Sequence, residues 1–252
     1  MNPLVDPGAR FVIAHRGDSA HAPENTLAAF RRAVEIGADA IELDVRLAAD
    51  GVPVVIHDAT LDRTTSAAGL VSARSSTELG EIPVGSTVGV PTLERVLALI
   101  PLPILLEVKE VAAQDAVAAV LLRCAAAARV VVASAHDEAL SAFRRPPFLV
   151  GASARDILRL WLAPLRGLPP RRCVAYSVPW RHRGVLPVPT ARFIGDAHRL
   201  GASVHVWTVD DPSRANRLWA RGANGIVTNA PGSLRPVPLR LVAHEPGECS
   251  PE

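Results

Sequence analysis

The sequence predicts a TIM-type (β/α)8 barrel, because short apolar runs and helical patterns alternate along almost its whole length. The runs are rich in β-branched residues and nearly continuous in hydrophobicity, which is typical of parallel strands covered on both faces. A length of 252 residues suits one such barrel. An open, doubly wound α/β sheet is the alternative that the same alternation allows.

Nine runs qualify as strands, although a barrel has places for eight. The link over residues 45–52 is too short to contain a helix, so one run belongs to a hairpin or to an additional piece. The runs cover residues 11–14, 40–45, 52–56, 104–108, 130–133, 149–151, 174–178, 204–209 and 225–228.

The helical patterns begin at residues that suit an N-cap. An apolar stripe starts at Leu27, directly after Asn25 and Thr26, either of which can cap it. Thr92 precedes a second stripe, and the pair 211–212, Asp followed by Pro, opens a late helix.

The stretches outside this alternation are an insertion and a tail. Residues 59–90 carry scattered Ser, Thr and Gly and predict a short, loop-like insertion after the third strand. Residues 236–252 contain Pro and Glu and predict a frayed tail. We therefore expect residues 1–252 to form a single domain with a core at about 10–235.

Charge and cysteine usage argue against several function classes. The 27 basic and 25 acidic residues leave a formal net charge of +2, which disfavours a nucleic-acid stripe and an anionic-membrane patch. No window approaches the ~20 apolar residues of a membrane span, and no secretory signal precedes the first run, so no integral membrane contact is expected. Three widely spaced cysteines fit a reducing, cytoplasmic compartment. The chain is expected to be a monomer or a homodimer.

Ionisable side chains follow four of the apolar runs where each run ends. Active sites of barrel enzymes assemble at the carboxyl ends of the strands, so these side chains predict a site there. The four run ends read His15-Arg16-Gly17, Glu42-Leu43-Asp44, His57-Asp58 and Glu107-Val108-Lys109.

Three carboxylates in this set indicate a metal site. Glu42 and Asp44 are two residues apart, so on a strand they point to the same side, and Glu107 can add a third oxygen from another strand. Carboxylates that share the barrel axis repel each other unless a cation lies between them. Oxygen ligands without cysteine favour Mg²⁺ or Ca²⁺ over zinc. Alternatively, Glu42 and Asp44 face the helices and form ordinary ion pairs.

Two histidines and two basic residues complete the predicted site. His15 and His57 suit general acid and base catalysis, because imidazole titrates near neutral pH. Arg16 offers paired hydrogen bonds to phosphate oxygens, and Lys109, the only lysine in the chain, offers a compact point charge. Together with a metal, these groups suit attack on a phosphate diester.

The order and spacing of several motifs resemble the glycerophosphodiester phosphodiesterase family. The resemblance extends from residue 11 to about residue 232. The matching motifs are His15-Arg16-Gly17, Pro23-Glu24-Asn25-Thr26, Glu42-Leu43-Asp44-Val45, the stretch 50–58, Leu61-Asp62-Arg63-Thr64-Thr65, Pro91-Thr92-Leu93-Glu94, Glu107-Val108-Lys109 and Trp207-Thr208-Val209.

The resemblance implies a TIM-type barrel that hydrolyses glycerophosphodiesters to sn-glycerol 3-phosphate and an alcohol. By position, it implies His15 and His57 as the catalytic acid/base pair, and Glu42, Asp44 and Glu107 as the divalent-metal ligands. It also implies Arg16 and Lys109 as the phosphate contacts, and it places Trp207 in the substrate pocket.

Three positions depart from the family pattern. Asn229 and Asn224 stand where the family usually has Asp; an amide keeps the hydrogen bonds of a turn but loses any role of the charge. His136 stands where an aromatic residue is common, and it either projects into the pocket or lies on the surface before a helix.

Two other functions remain open. A lysophospholipase D would need an apolar rim at the barrel mouth, and the candidate residues are Leu158, Leu160, Trp161, Leu162 and Leu165. A degenerate barrel that only binds a phosphorylated ligand is disfavoured by the intact histidine pair and carboxylates.

Overall fold

A computed structural model describes residues 2–166, 173–182 and 186–234. Eleven strands occur among these residues, and eight of them are parallel members of one barrel sheet. In chain order the strands are β1 Phe11–His15, β2 Ala40–Leu47, β3 Pro53–Val55, β4 Ile104–Val108, β5 Val130–Ala133, β6 Leu149–Val150, β7 Ala175–Pro179, β8 Arg181–His182, β9 Leu186–Pro187, β10 Ser203–Trp207 and β11 Gly225–Thr228.

The barrel strands follow the order β6-β5-β4-β2-β1-β11-β10-β7. Backbone hydrogen bonds also join the two end strands of this order. The amide of Ala152 donates to the carbonyl of Ala175 at 2.8 Å, and the amide of Val174 donates to the carbonyl of Val150 at 2.9 Å. The predicted barrel is therefore confirmed, and the open sheet is not.

Strand β3 accounts for the ninth predicted run. It lies antiparallel to β2, with Val55 opposite Val45, and forms a hairpin with it outside the barrel order. The run at 52–56 was thus the additional piece that the sequence left unassigned.

The insertion after β3 is more ordered than a loop. It contains the helix α2, Ser76–Glu81, whose N-cap Ser75 forms a capping box with Glu78. Leu79 packs with other buried apolar side chains of the segment. A helix of six residues is too short to show a hydrophobic period, which is why the sequence predicted a loop.

Helices cover the outside of the barrel. They are α1 Leu27–Glu35, α3 Leu93–Leu99, α4 Gln114–Arg123, α5 Ala154–Arg166, α6 Ala191–Arg199 and α7 Pro212–Ala220, and a 3-10 helix, Asp137–Phe143, connects β5 to β6. The N-cap of α1 is Thr26, whose hydroxyl accepts from the amide of Ala29 at 3.2 Å. Asn25 has a positive φ of 57° and is free for another role.

Alternation along the strands separates the barrel interior from the helix layer. Ile41, Leu43 and Val45 of β2 pack outward in the main core cluster. In the lower half of the barrel, Ile13 and Leu105 pack with Leu4 in a separate apolar cluster. The inward positions that follow them toward the carboxyl ends carry ionisable groups, so the apolar cluster forms the floor beneath the predicted site.

No helix among the described residues is long and apolar enough to cross a bilayer. The predicted tail, 236–252, lies outside the described residues.

Candidate active site

A cavity of about 830 Å³ opens at the carboxyl ends of the barrel strands. It is lined by seven of the eight residues that the sequence singled out, namely His15, Arg16, Glu42, His57, Glu107, Lys109 and Trp207. The eighth, Asp44, is 1% exposed and contacts the Lys109 and Arg16 side chains. The structure therefore brings the whole predicted set together.

The carboxylates Glu42, Asp44 and Glu107 face the barrel axis. Strand register aligns Glu107 with Asp44 on the neighbouring strand, and one oxygen from each of the three groups lies within 4.8 Å of the others. The alternative in which Glu42 and Asp44 face the helices is wrong.

Two observations indicate that this cluster fits a cation. Burial, followed by the charges of Asp44 and Glu107, raises the pKa of Glu42 well above its usual range. Oδ1 of Asp44 is buried and accepts no hydrogen bond from the described residues, although it forms an ion pair with Lys109 Nζ at 3.3 Å. Three carboxylates in this arrangement are the oxygen ligands that Mg²⁺ and Ca²⁺ prefer.

Basic side chains lie against the same carboxylates. Lys109 Nζ is 3.1 Å from Oε1 of Glu107 and 3.3 Å from Oδ1 of Asp44. Arg16 Nε is 3.1 Å from Oδ2 of Asp44. The positive φ of Arg16, 58°, lets its backbone amide donate to Oε2 of Glu42 at 3.1 Å. Positive charge is therefore fixed beside the carboxylates.

His15 ends β1 and turns its Nε2 toward the cluster, 3.9 Å from Oε2 of Glu42. Its Nδ1 is 2.7 Å from Oδ1 of Asn229. Burial lowers the pKa of His15. The hydrogen bond with Asn229 acts to raise this pKa, and the charge of Arg16 acts to lower it further. The neutral ring is therefore favoured.

His57 follows β3, on the insertion side of the cavity. Its Nδ1 is 2.6 Å from Oδ1 of Asp58, and its carbonyl accepts from Nε of Arg46 at 2.8 Å. Arg63 donates from Nε to Oδ2 of Asp58 and holds the pKa of that carboxyl down at about 2. An ionised Asp58 fixes the proton of His57 on Nδ1 and leaves Nε2 for the cavity.

Arg63 also ties the insertion to the loop after β1. Its two terminal nitrogens donate to Glu24 at 2.7 and 2.9 Å, and Arg16 donates to the same carboxylate at 2.8 Å. Burial works to raise the pKa of Glu24, but the hydrogen bonds from Arg63 and the charge of Arg16 outweigh it and lower the pKa to about 2.

The comparison with known proteins agrees with this geometry. Residues 15–233 match the model of the glycerophosphoryl diester phosphodiesterase family. The chain belongs to this family. It is 32% identical over 241 residues to the glycerophosphodiester phosphodiesterase of Caldanaerobacter subterraneus, a match that covers 88% of this chain and 95% of that relative.

Solved structures of the family have the same fold. A phosphodiesterase of Oleispira antarctica, in complex with the product sn-glycerol-3-phosphate, has a TM-score of 0.73 at 26% identity and covers 90% of this chain and 95% of that one. A glycerophosphodiester phosphodiesterase of Agrobacterium tumefaciens has a TM-score of 0.73 at 26% identity, covering 89% and 98% of the two chains. As a member of this family, the protein is a phosphoric diester hydrolase.

Two departures from the family pattern keep hydrogen-bonding roles. The Asn224 amide donates to the carbonyls of Pro7 and Ala9 and accepts from the backbone of Val204, so it ties the N-terminal segment to the barrel. Asn229 holds His15, as described above. An amide thus serves the turns, as the sequence predicted.

His136 does not project into the cavity. The lining after β5 consists of Ser134 and Ala135, and the His136 amide donates to the Ser134 hydroxyl at 3.1 Å.

Sequence reasoning missed several supporting residues. Asn25 donates to Oδ2 of Asp44 at 2.9 Å, Arg63 holds Asp58, and Asp210 contacts Asn229. Asn25 and Arg63 lie within the motifs that carry the family resemblance, which was the available signal. Nothing in the sequence indicated a role for Asp210.

Proposed function

We propose that the protein hydrolyses glycerophosphodiesters to sn-glycerol 3-phosphate and an alcohol, with a divalent cation and with His15 and His57 as the acid/base pair. The observation that carries this proposal is the position of the two histidines in one cavity with a carboxylate triad and two basic groups. The Oleispira antarctica neighbour holds sn-glycerol-3-phosphate, which supports this product for the present chain.

The cation would be held by Glu42, Asp44 and Glu107. A bound Mg²⁺ or Ca²⁺ supplies positive charge that stabilises the phosphate oxygens as negative charge builds on them. Lys109 and Arg16 place further positive charge on the same side of the cavity.

The histidines move the protons. One takes a proton from the nucleophile, which is water or the glycerol 2-hydroxyl, as the new P–O bond forms. The other gives a proton to the alcohol oxygen as the old P–O bond breaks. Attack by the hydroxyl gives a cyclic phosphate, which water then opens; both routes end in the same products.

Product analysis tests the proposal. Purified protein is incubated with glycerophosphocholine or glycerophosphoethanolamine and either Mg²⁺ or Ca²⁺, and sn-glycerol 3-phosphate is measured with a coupled dehydrogenase. We expect stoichiometric release of sn-glycerol 3-phosphate and the alcohol. Absence of turnover with both substrates and both metals would overturn the proposal.

A second candidate function is supported by the apolar side of the cavity. Leu158 and Trp161 of α5 line it and are 56% and 42% exposed, and Trp207 is 42% exposed on the same cavity. Such a rim suits a hydrocarbon chain, as a lysophospholipase D would need. Of the predicted rim, Leu160 is buried in the core and does not contribute. The Leu165 side chain lies outside what the structure describes.

Choline release from glycerophosphocholine and from lysophosphatidylcholine separates these two functions. The first proposal requires faster turnover of glycerophosphocholine, and the second requires the reverse.

We also propose a cytoplasmic location. The three cysteines of the sequence are widely spaced, and Cys124 is a free thiol, in keeping with a reducing compartment.

A further inference from the structure

Asp210 and Asn229 form a hydrogen-bonded pair next to His15. Asp210 comes three residues after β10, and Asn229 directly follows β11, the neighbouring strand. The Asp210 carboxylate accepts three hydrogen bonds. Its Oδ1 accepts from the Thr228 hydroxyl at 2.8 Å and from the Asn229 backbone amide at 2.7 Å, and its Oδ2 accepts from Nδ2 of Asn229 at 2.8 Å.

These contacts determine which way the Asn229 amide faces. A carboxylate can only accept hydrogen bonds, so the NH2 group of Asn229 must point at Asp210. Its Oδ1 must then point at His15, 2.7 Å from Nδ1, where it also accepts from the Ser19 hydroxyl at 3.1 Å.

The direction of the amide in turn determines the tautomer of His15. An amide oxygen only accepts, so Nδ1 of His15 must carry the hydrogen. In the neutral ring, Nε2 is then unprotonated, and it is the nitrogen on the side of Glu42.

We propose that Asp210 is a positioning residue that acts through Asn229 to hold His15 as the Nδ1–H tautomer, with the lone pair of Nε2 presented to the cavity. The unprotonated Nε2 equips His15 to take the proton of the nucleophile, as the tautomer set by Asp58 also equips His57; this role rests on the proposed function. The negative charge that the family pattern places at position 229 is carried here by Asp210, one side chain farther from the ring.

We call the action of Asp210 on His15 through Asn229 the relay, and an exchange of the Asp210 and Asn229 side chains tests it. Asp210→Asn places two NH2 groups against each other, so the Asn229 amide turns over and its NH2 faces His15, which forces the Nε2–H tautomer. Asn229→Asp places two carboxylates together, which repel. In the double variant Asp210→Asn/Asn229→Asp the amide donates to the carboxylate and the carboxylate accepts from His15, so the relay is restored.

We expect Asp210→Asn to lose about 10- to 100-fold in kcat with little change in KM, because a wrong tautomer costs turnover rather than binding. Asn229→Asp should lose kcat for another reason, since the repulsion between the two carboxylates displaces the side chain that holds His15. The double variant should recover kcat to within a few-fold of the original protein. Asp211→Asn is the matched control: it removes the same charge one residue along, and Asn replaces Asp equally well as the N-cap of α7.

Nitrogen NMR of the histidine side chains gives a readout that needs no turnover. In the neutral ring, His15 Nδ1 should have the shift of a protonated nitrogen in the original protein and in the double variant, and that of an unprotonated nitrogen in Asp210→Asn. An unchanged tautomer and kcat in Asp210→Asn would overturn the relay. The relay would also be overturned by a double variant that folds but has a kcat no higher than that of the slower single variant. If the original protein hydrolyses no glycerophosphodiester, the proposed function fails, and the tautomer measurement still decides the relay.

Discussion

Lys109 Nζ lies 3.3 Å from Oδ1 of Asp44, and the lysine side chain lines the cavity although it is only 15% exposed. It is the only lysine among 27 basic residues. A bias toward arginine explains the absence of other lysines, but it leaves this one unexplained. The contact supplies a reason: the ammonium fits between two carboxylates that are themselves within 4.8 Å of each other. A planar guanidinium is longer and broader than that space.

Lys109→Arg is therefore expected to keep the charge and the fold but to lose about 100-fold in kcat/KM, since displacement of groups by about 1 Å has effects of this size. Steady-state kinetics and thermal melts measure the two properties. Arg123→Lys, at an exposed ion pair with Glu94, is the control for arginine and lysine exchange and should retain full activity. Full activity of Lys109→Arg would show that any cation serves at this position.

His15→Ala and His57→Ala are each expected to lower kcat by about 100- to 10,000-fold, the usual contribution of a general acid or base. Both side chains lie at the ends of strands at the cavity, so cooperative unfolding should persist in denaturant. His136→Ala, outside the cavity lining, should keep the original rate. A His57→Ala protein with nearly full turnover would exclude the acid/base pair.

Metal binding should stabilise the protein as well as activate it. After treatment with EDTA, Mg²⁺ or Ca²⁺ at about 100 times its Kd should add about 3 kcal/mol to the free energy of unfolding. Asp44→Asn should abolish this gain, whereas Asp115→Asn, at an exposed position on α4, should keep it. Calorimetric melts with and without metal measure the difference. An equal gain in Asp44→Asn, or full turnover in EDTA, would contradict the site.

The barrel and the residues that face its cavity could be predicted because two independent patterns coincide. Continuous apolar runs mark buried parallel strands, and side chains two apart on a strand share a face, so Glu42 and Asp44 had to point the same way. The strand ends then gave the location of the site.

The supporting contacts could not be predicted from periodicity, for a physical reason. Asp58 and Arg63 lie on an irregular segment, where no period relates sequence spacing to direction. Asp210 and Asn229 are 19 residues apart and meet only because β10 and β11 are neighbours. Strand β3 has three residues, so its apolar run could not be distinguished from a barrel strand.

The hydrogen bonds of Arg63 lead to a test of the insertion. Arg63 joins Asp58, which holds His57, to Glu24, which holds Arg16. A lysine cannot make these bonds together, so Arg63→Lys should lower kcat/KM about 10-fold or more through misplacement of His57. Kinetics of Arg95→Lys, at an exposed position on α3, give the control. Equal kinetics in the two variants would show that the insertion does not position His57.

His205 is expected to make the protein sensitive to acid through a group that is separate from the site. The ring is fully buried on β10, its Nε2 lies 3.0 Å from the Leu4 carbonyl, its Nδ1 has no hydrogen-bond partner among the described residues, and the ring of Phe11 packs edge-on at 5.5 Å. Burial lowers the pKa of His205 to about 4, against a weaker opposing effect of the hydrogen bond to Leu4.

Between pH 6.5 and pH 4 the unfolded chain therefore binds a proton at His205 that the folded chain does not, so stability rises with pH in this window and is lost as pH falls. The loss between pH 7 and pH 5 should be about 2 kcal/mol from this residue. Urea unfolding of the original protein and of His205→Gln at both pH values measures it. The change in the free energy of unfolding between pH 7 and pH 5 should be smaller in the variant by that amount. This holds even if the variant is less stable at both pH values, because only the change between them reports the titration. An identical change in the free energy of unfolding in the two proteins would mean that the buried ring does not cause the acid sensitivity.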